Sequence, residues 1–190
     1  MTGGWPFGDL RMFGYQVIAA DPPWAFETYG DPSEKSPEAH YQTMSLAEIK
    51  ALPVSNLARG DAILLLWATA PMLPHALDVM SAWGFQYSTM AAWAKRSRAD
   101  SGWAFGTGYR FRSAMEPVLV GTVGSPPVFS RSERNLIVAP IREHSRKPDE
   151  FYAMAERLWP SAWRCELFAR ERRPNWDSWG NEVGKLGEAA

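Results

Sequence analysis

The sequence predicts an α/β fold built on a mainly parallel sheet, and three observations carry that prediction. Short, near-continuous apolar runs such as Val17–Ala20 and Ala62–Ala68 have the composition of strands covered on both faces. Segments with helical apolar spacing separate them. Polar clusters follow directly after the runs, where open α/β sheets place their reactive groups.

The elements follow in order. Val17–Ala20 reads as a buried strand stopped at once by Asp21-Pro22-Pro23. Residues 27–40, rich in Pro, Gly and charge and without an apolar period, read as a loop. Ser45-Leu46-Ala47-Glu48 is a capping box that opens a short helix toward Leu52, which Pro53 stops. Ala62–Ala68 is the second strand, Met72–Trp83 a helix ended by Gly84, and Ser88–Ala94 a strand. Residues 95–112 form a Gly- and Arg-containing loop longer than connection alone requires. Glu116–Gly121 and Leu136–Ala139 are further strands joined by a Gly/Pro/Arg loop. Phe151, Met154, Ala155 and Leu158 fall at i, i+3, i+4 and i+7, one buried helix face. Arg164–Ala169 reads as the last strand. No repeat or composition break divides residues 1–190, which are expected to form one domain.

Composition excludes several classes. The 190 residues are 46% hydrophobic and 22% charged, enough for a sizeable core. Cys165 is the single cysteine, which removes an intrachain disulfide or a multi-cysteine metal site and suits a reducing cytoplasm. The apolar run 62–70 is far too short to cross a bilayer, so no membrane association is expected. No His-Glu-x-x-His, Gly-x-Ser-x-Gly, Gly-x-Gly-x-x-Gly or phosphate-loop pattern occurs, and no metal is expected. Net charge is only -1, but seven basic residues stand against three acidic ones between 91 and 135. Lys95, Arg96, Arg98, Arg110, Arg112, Arg131 and Arg134 could hold phosphates, or simply form a solvated surface. The ten tryptophans include core fillers and candidate stacking faces for bases.

Three clusters could carry chemistry. Asp21-Pro22-Pro23-Trp24 puts a carboxylate at a strand's open end, beside prolines that leave carbonyls free to accept and a flat aromatic face. Such a group suits a planar ring bearing an amine. It equally suits a rigid turn whose tryptophan covers the sheet edge. His144-Ser145-Arg146-Lys147-Pro148-Asp149 places a cationic lip before a helix, with Pro148 and Asp149 matched to its start. A solvated helix entry fits the same residues. Glu166-Leu167-Phe168-Ala169-Arg170 and Trp179-Gly180-Asn181-Glu182 offer groups able to read a ribose or an adenine edge, or to cap the last strand.

Taken in order, these segments resemble the MT-A70 family of adenine-N6 methyltransferases. To Asp21-Pro22-Pro23-Trp24 are added His40-Tyr41-Gln42-Thr43-Met44, Leu66-Trp67-Ala68-Thr69, Ala82-Trp83-Gly84-Phe85, Trp93-Ala94-Lys95, Ser145-Arg146-Lys147-Pro148-Asp149-Glu150, Glu166-Leu167-Phe168-Ala169-Arg170 and Trp176-Asp177-Ser178-Trp179-Gly180-Asn181-Glu182. The likeness runs from Val17 to Glu182. It implies a Rossmann-like class I methyltransferase fold, a doubly wound seven-stranded sheet with circularly permuted motifs, and S-adenosyl-L-methionine as cofactor. It makes Asp21, Pro22, Pro23 and Trp24 the catalytic turn. Asp21, Lys147, Arg170, Asn181 and Glu182 would hold the cofactor, and Trp24, Tyr41 and Glu116 would border the acceptor. The basic set would meet phosphates, with the loops 95–112 and 124–134 choosing target bases. All four residues of the turn are present, so the expectation is a working enzyme of the short bacterial or phage kind. Its expected acceptor is DNA, with RNA as the alternative and a non-catalytic nucleic-acid-binding or partner subunit as the rival. A homodimer is a possible assembly.

Overall fold

A computed structural model describes residues 4–25, 43–108, 110–143 and 146–184. Among them, seven strands form one sheet: β1 (Tyr15–Ala20), β2 (Ala58–Trp67), β3 (Gln86–Arg96), β4 (Met115–Val123), β5 (Leu136–Pro140), β6 (Arg164–Leu167) and β7 (Asp177–Trp179). Their order across the sheet is β5-β3-β4-β2-β1-β6-β7. Helices α1 (Leu46–Ala51), α2 (Leu73–Ala82) and α3 (Asp149–Leu158) accompany them. The expected α/β architecture and seven strands are present.

The sheet is parallel except at β4, which runs antiparallel between β2 and β3. No helix intervenes between β3 and β4, so the chain returns beside the strand it has left. Two strands differ from expectation. The last strand is β7 rather than the one opening at Arg164, and that earlier strand ends at Leu167. Phe168 takes a positive φ of 62° and turns the chain away. β7 is the three residues Asp-Ser-Trp, too short and polar to show an apolar run, and its parallel pairing with β6 defines it.

Alternation along the buried strands builds two cores. Ile18, Ala20, Leu64 and Leu66 point to the side of Ile49, Ala76, Val79 and Met80, on α1 and α2. Val17, Ala19, Ile63, Leu65 and Trp67 point to the side of Phe151, Met154 and Ala155 on α3. A slip of one residue would exchange the two sets, so double-sided burial fixes the register Val17↔Ile63 to Ala20↔Leu66. The capping box of α1 is formed in both directions between Ser45 and Glu48. The Trp83 indole N–H, just beyond α2, donates to Ile49 O at 2.8 Å and ties the two helices together.

This topology gathers the sequence motifs. The carboxyl ends of β1, β2, β3, β5, β6 and β7 and the amino end of β4 share one edge of the sheet. Asp21, Lys95, Glu116, Lys147, Arg170 and Glu182 all follow or open strands on that edge. The loop 124–135 between β4 and β5 lies on the opposite, amino edge, where Ser125 N–H donates to Asp61 Oδ1 at 2.9 Å. No helix among the described residues is long and apolar enough to cross a membrane.

Candidate active site

Four charged side chains from four elements alternate in sign along the carboxyl edge. Asp21, leaving β1, lies 3.0 Å from the Lys147 ammonium through Oδ2. The same ammonium meets Glu116 Oε1 at 2.6 Å, and Glu116 Oε2 meets Lys95 Nζ at 2.6 Å. Lys147 also sits 4.8 Å over the Trp67 ring and Lys95 4.7 Å over Trp93. Lys147 and Glu116 are buried, while Asp21 and Lys95 are partly open. The chain of charges therefore begins and ends toward solvent and is paired throughout its interior.

Burial opposes the charge of the Lys147 ammonium, but the Asp21 and Glu116 carboxylates overcome it and hold the group protonated, above its ordinary value. Burial likewise pushes Glu116 up, and Lys147 and Lys95 together bring it below the usual carboxylate range. Asp21 goes the other way. Its burial outweighs the pull of Lys147, and Glu116 adds to the rise. Of the two carboxylates in this row of charges, Asp21 is thus the more proton-receptive.

Beside Asp21 is a small cleft lined by Arg146, Lys147, Tyr152, Glu166, Phe168, Arg170 and Glu171. Within it Glu166 accepts from the Tyr152 hydroxyl at 2.7 Å, while its other oxygen, Oε2, is buried with no hydrogen-bond partner among the described residues. Burial pushes the Glu166 carboxyl up to about 7, with Tyr152 opposing and Asp21 adding to the rise. Glu171 joins Arg146 at 2.8 Å and Arg173 at 2.6 Å, and Arg173 reaches Asp149 at the start of α3. Arg170 pairs with Glu182 at 2.8 Å, connecting the mouths of β6 and β7. Asn181 is exposed beside them.

The structure places the expected site residues unevenly. Asp21, Lys147, Glu116 and Lys95 converge directly, and Arg170 and Glu182 border the cleft. Trp24, expected to present an aromatic face, is 4% exposed and packs in the α1/α2 core. Its indole N–H donates to Trp67 O at 3.3 Å. An indole carries roughly 150–250 Å² of largely apolar surface, and the core beside β1 takes it up. The alternative reading, a tryptophan covering the sheet, describes the ring. The Pro22 and Pro23 carbonyls, expected to be free, each accept one backbone N–H, from Trp24 at 2.8 Å and Met44 at 3.0 Å. Each retains a second lone pair. Tyr41 lies outside the described residues.

The seven basic residues do not form one surface. Lys95 is committed to Glu116, and Arg96 binds Asp100 at 2.8 Å. Arg98 donates to Arg142 O, and Arg110 and Arg112 are exposed on the carboxyl-edge loop. Arg131 and Arg134 sit in the loop on the amino edge, remote in topology from Asp21. A cavity of about 330 Å³ also lies on that edge, lined by residues 160–164 and 175–177. There Arg164 caps the carbonyls of Trp159 and Pro160 after α3, a structural task.

Arg146 lies in the expected cationic lip, whereas Glu166, Tyr152, Phe168 and Glu171 had no role of their own in the sequence. For Glu166 a signal existed: a carboxylate in the middle of the buried strand Arg164-Cys165-Glu166-Leu167 needs a reason. Tyr152, which reads as ordinary core in a helix, carried none.

The family model MT-A70 matches residues 15–182. The "N(6)-adenosine-methyltransferase MT-A70-like" of Arabidopsis thaliana is 34% identical over 188 residues, covering 94% of this chain and 26% of its own length. The "N(6)-adenosine-methyltransferase catalytic subunit METTL3" of Homo sapiens is 32% identical over 180 residues, covering 92% and 29%. This chain therefore spans under a third of the length of these two relatives. The "Type II methyltransferase M.MunI" of Mycoplasma sp is 31% identical over 196 residues, covering 93% of this chain and 81% of the relative. With its seven-stranded sheet and its Asp-Pro-Pro-Trp turn at the end of β1, the chain belongs to the MT-A70 family.

Proposed function

We propose that this chain transfers a methyl group from S-adenosyl-L-methionine to the N6 amine of adenine in DNA. The observation that carries the reading is the Asp21 carboxylate, proton-receptive at the end of β1, flanked by the Lys147 ammonium and opening on a cleft of mixed charge. The side chains lining the cleft suit the polar groups of this cofactor. Lys147 and Arg146 offer cations to an amino-acid carboxylate, Phe168 offers an apolar ring, and Glu166 Oε2, unpartnered among the described residues, calls for a donor such as an ammonium or a ribose hydroxyl. Arg170, Asn181 and Glu182 at the neighbouring strand mouths are suited to the nucleoside part. When bound, the cofactor supplies an electrophilic methyl on a sulfonium.

The protein's own groups then orient the acceptor. An exocyclic adenine amine is a weak nucleophile because its lone pair is delocalised into the ring. Asp21 accepts one amine hydrogen, and a second lone pair on Pro22 or Pro23 O accepts the other. The nitrogen is thereby drawn toward tetrahedral geometry, with its lone pair directed away from both acceptors. Lys147 keeps Asp21 in place and balances its charge, while Glu116 holds Lys147 from the other side. Asp21 is the nearest base for the proton released once the nitrogen has formed its new bond. Trp24 supports the turn from within the core.

DNA is favoured because a relative matched along most of both chains is named as a type II methyltransferase. RNA remains the second reading, favoured by the relatives named as N(6)-adenosine-methyltransferases. Transfer of tritiated methyl to matched DNA and RNA strands, followed by nucleoside analysis, separates them. Asp21→Asn puts an amide donor where an acceptor is needed, and single-turnover formation of N6-methyladenine should fall roughly 10²–10³-fold. Wild-type rates in a folded Asp21→Asn protein would remove Asp21 from the mechanism.

A further inference from the structure

The segment 97–114 joins β3 to β4 on the carboxyl edge. Its two roots, Lys95 and Glu116, are members of the charge chain that ends on Asp21. The described backbone on both sides of position 109 is closely tied. Ala104 N–H donates to Lys95 O at 2.8 Å, Ser97 N–H to Gly102 O at 2.8 Å and Gly106 N–H to Ser113 O at 2.9 Å. Arg96 and Trp103 pair as an antiparallel bridge. A Cβ added at Gly106 would lie 2.6 Å from Ser113 O, and one at Gly108 would collide with Phe111 O. The strands of this loop approach so closely that only glycine fits at those two points.

This held backbone carries three large rings outward: Trp103 is 60% exposed, Phe105 80% and Phe111 87%. Single exposed aromatics are ordinary, but three on one short loop are not. Arginines are interleaved with them. The Arg96 guanidinium lies 4.9 Å over Trp103, Arg112 lies 5.2 Å over Phe105, and Arg98 and Arg110 are exposed on the same loop. Asp100 is the one acidic residue between positions 96 and 114. Aromatic faces set among cations match unpaired nucleobases and their phosphates. An intact duplex hides its base faces and would leave the rings in water. Docking of this loop on its own copy would bring like charges together.

We infer that loop 97–114 is a stacking platform for unpaired bases flanking the target adenine, so that the acceptor strand arrives single-stranded or locally opened. The inference rests on reading the neighbouring site as an adenine methyltransferase. Trp103, Phe105 and Phe111 stack on flanking bases, and the arginines between them follow the backbone.

The test is fluorescence anisotropy with a labelled 12-nucleotide single strand containing one adenine, in DNA and RNA forms, beside the blunt duplex. The combined variant Trp103→Ala, Phe105→Ala, Phe111→Ala should bind the single strands at least roughly 100-fold more weakly, since each stacked base contributes a factor of about 5 to 150. Its KM for a methylated strand should rise far more than its kcat falls, and its calorimetric cofactor affinity should match wild type. A 2-aminopurine beside the adenine should be quenched by wild type and not by the variant. Trp103→Phe with Phe105→Tyr and Phe111→Tyr should restore most of the binding. Unchanged single-strand affinity in the folded triple variant overturns the platform. A variant that changes self-association in sedimentation while keeping that affinity also overturns it, and makes the rings a protein interface. If wild type binds and quenches the strand yet methylates no acceptor offered, the platform stands and the methyltransferase reading falls.

Discussion

The two edges of the sheet both carry charge, a cavity and an arginine-containing loop, yet they are built differently. At the amino edge the larger cavity is walled by a helix end that Arg164 caps, and Glu133 meets a largely exposed Arg157 at 2.7 Å. At the carboxyl edge the cleft is smaller, but Lys147, Glu166 and Glu171, which line it, and Glu116, paired with Lys147, are all buried. Placing those groups out of water opposes folding unless each is paired, and among the described residues Glu166 Oε2 finds no hydrogen-bond donor. Four buried charged side chains gathered in one place, against Arg164 alone among the described residues at the amino edge, mark the candidate site more clearly than cavity size or surface charge.

The largest effect that separates the edges should come from deleting one cation at each. Lys147→Met leaves Asp21 and Glu116 facing one another without the ammonium between them, and should destabilise the protein by roughly 3–5 kcal/mol in denaturant unfolding. Arg157→Ala breaks an exposed pair and should cost no more than about 1 kcal/mol. Adding Glu116→Gln to Lys147→Met should recover part of the loss if charge is the cause. Equal costs for the two single changes would erase the distinction between the edges.

Next in size is a pH effect that only the carboxyl edge should show. Glu166 is raised in the folded protein from 4.5 to about 7, chiefly by burial. Its protonated form is the one the fold favours. The stability it contributes is therefore complete below the ordinary carboxyl value and is lost as pH rises through about 7. Glu166→Gln, which keeps shape without titrating, should gain on wild type between about pH 5 and pH 8, by up to about 3 kcal/mol. Unfolding curves across that range that stay parallel for the two proteins would show that Glu166 titrates normally.

Much of this edge was legible in the sequence, for reasons that differ by residue. β1 and β2 announce themselves because burial on both faces demands unbroken apolar runs, and Asp21 is conspicuous directly after one. The order of strands then brings Lys147, 126 positions away, onto Asp21. No local pattern encodes that meeting, and only the resemblance supplied it. Trp24 was legible as an aromatic near the acid, but the sequence left open whether it faced a ligand or covered the sheet, because direction at a strand end is decided by which helices pack there. β7 was hidden because three mostly polar residues become a strand only by pairing with β6. The basic residues misled as a group, since proximity in sequence between 95 and 134 spans a strand that reverses direction and carries Arg131 and Arg134 to the far edge.

The reversal at β4 gives the smallest and most discriminating prediction. If phosphates are held at the reactive edge, Arg98, Arg110 and Arg112 contribute to polynucleotide binding, while Arg131 and Arg134 contribute nothing beyond a weak general field. Each phosphate contact adds about 0.7 to the slope of log affinity against log salt on a single strand, and about 0.9 on a duplex. Replacing Arg98, Arg110 and Arg112 with Gln should therefore flatten the slope by about 2, uniformly across acceptor sequences. Replacing Arg131 and Arg134 with Gln should leave the slope unchanged. Cofactor affinity, measured alongside by calorimetry, should match wild type in both variants, because none of the five side chains lines the cleft beside Asp21. A flattened slope in the Arg131 and Arg134 variant would mean that the acceptor wraps from one edge of the sheet to the other. An unchanged slope in the first variant would mean that its three arginines are only a solvated surface.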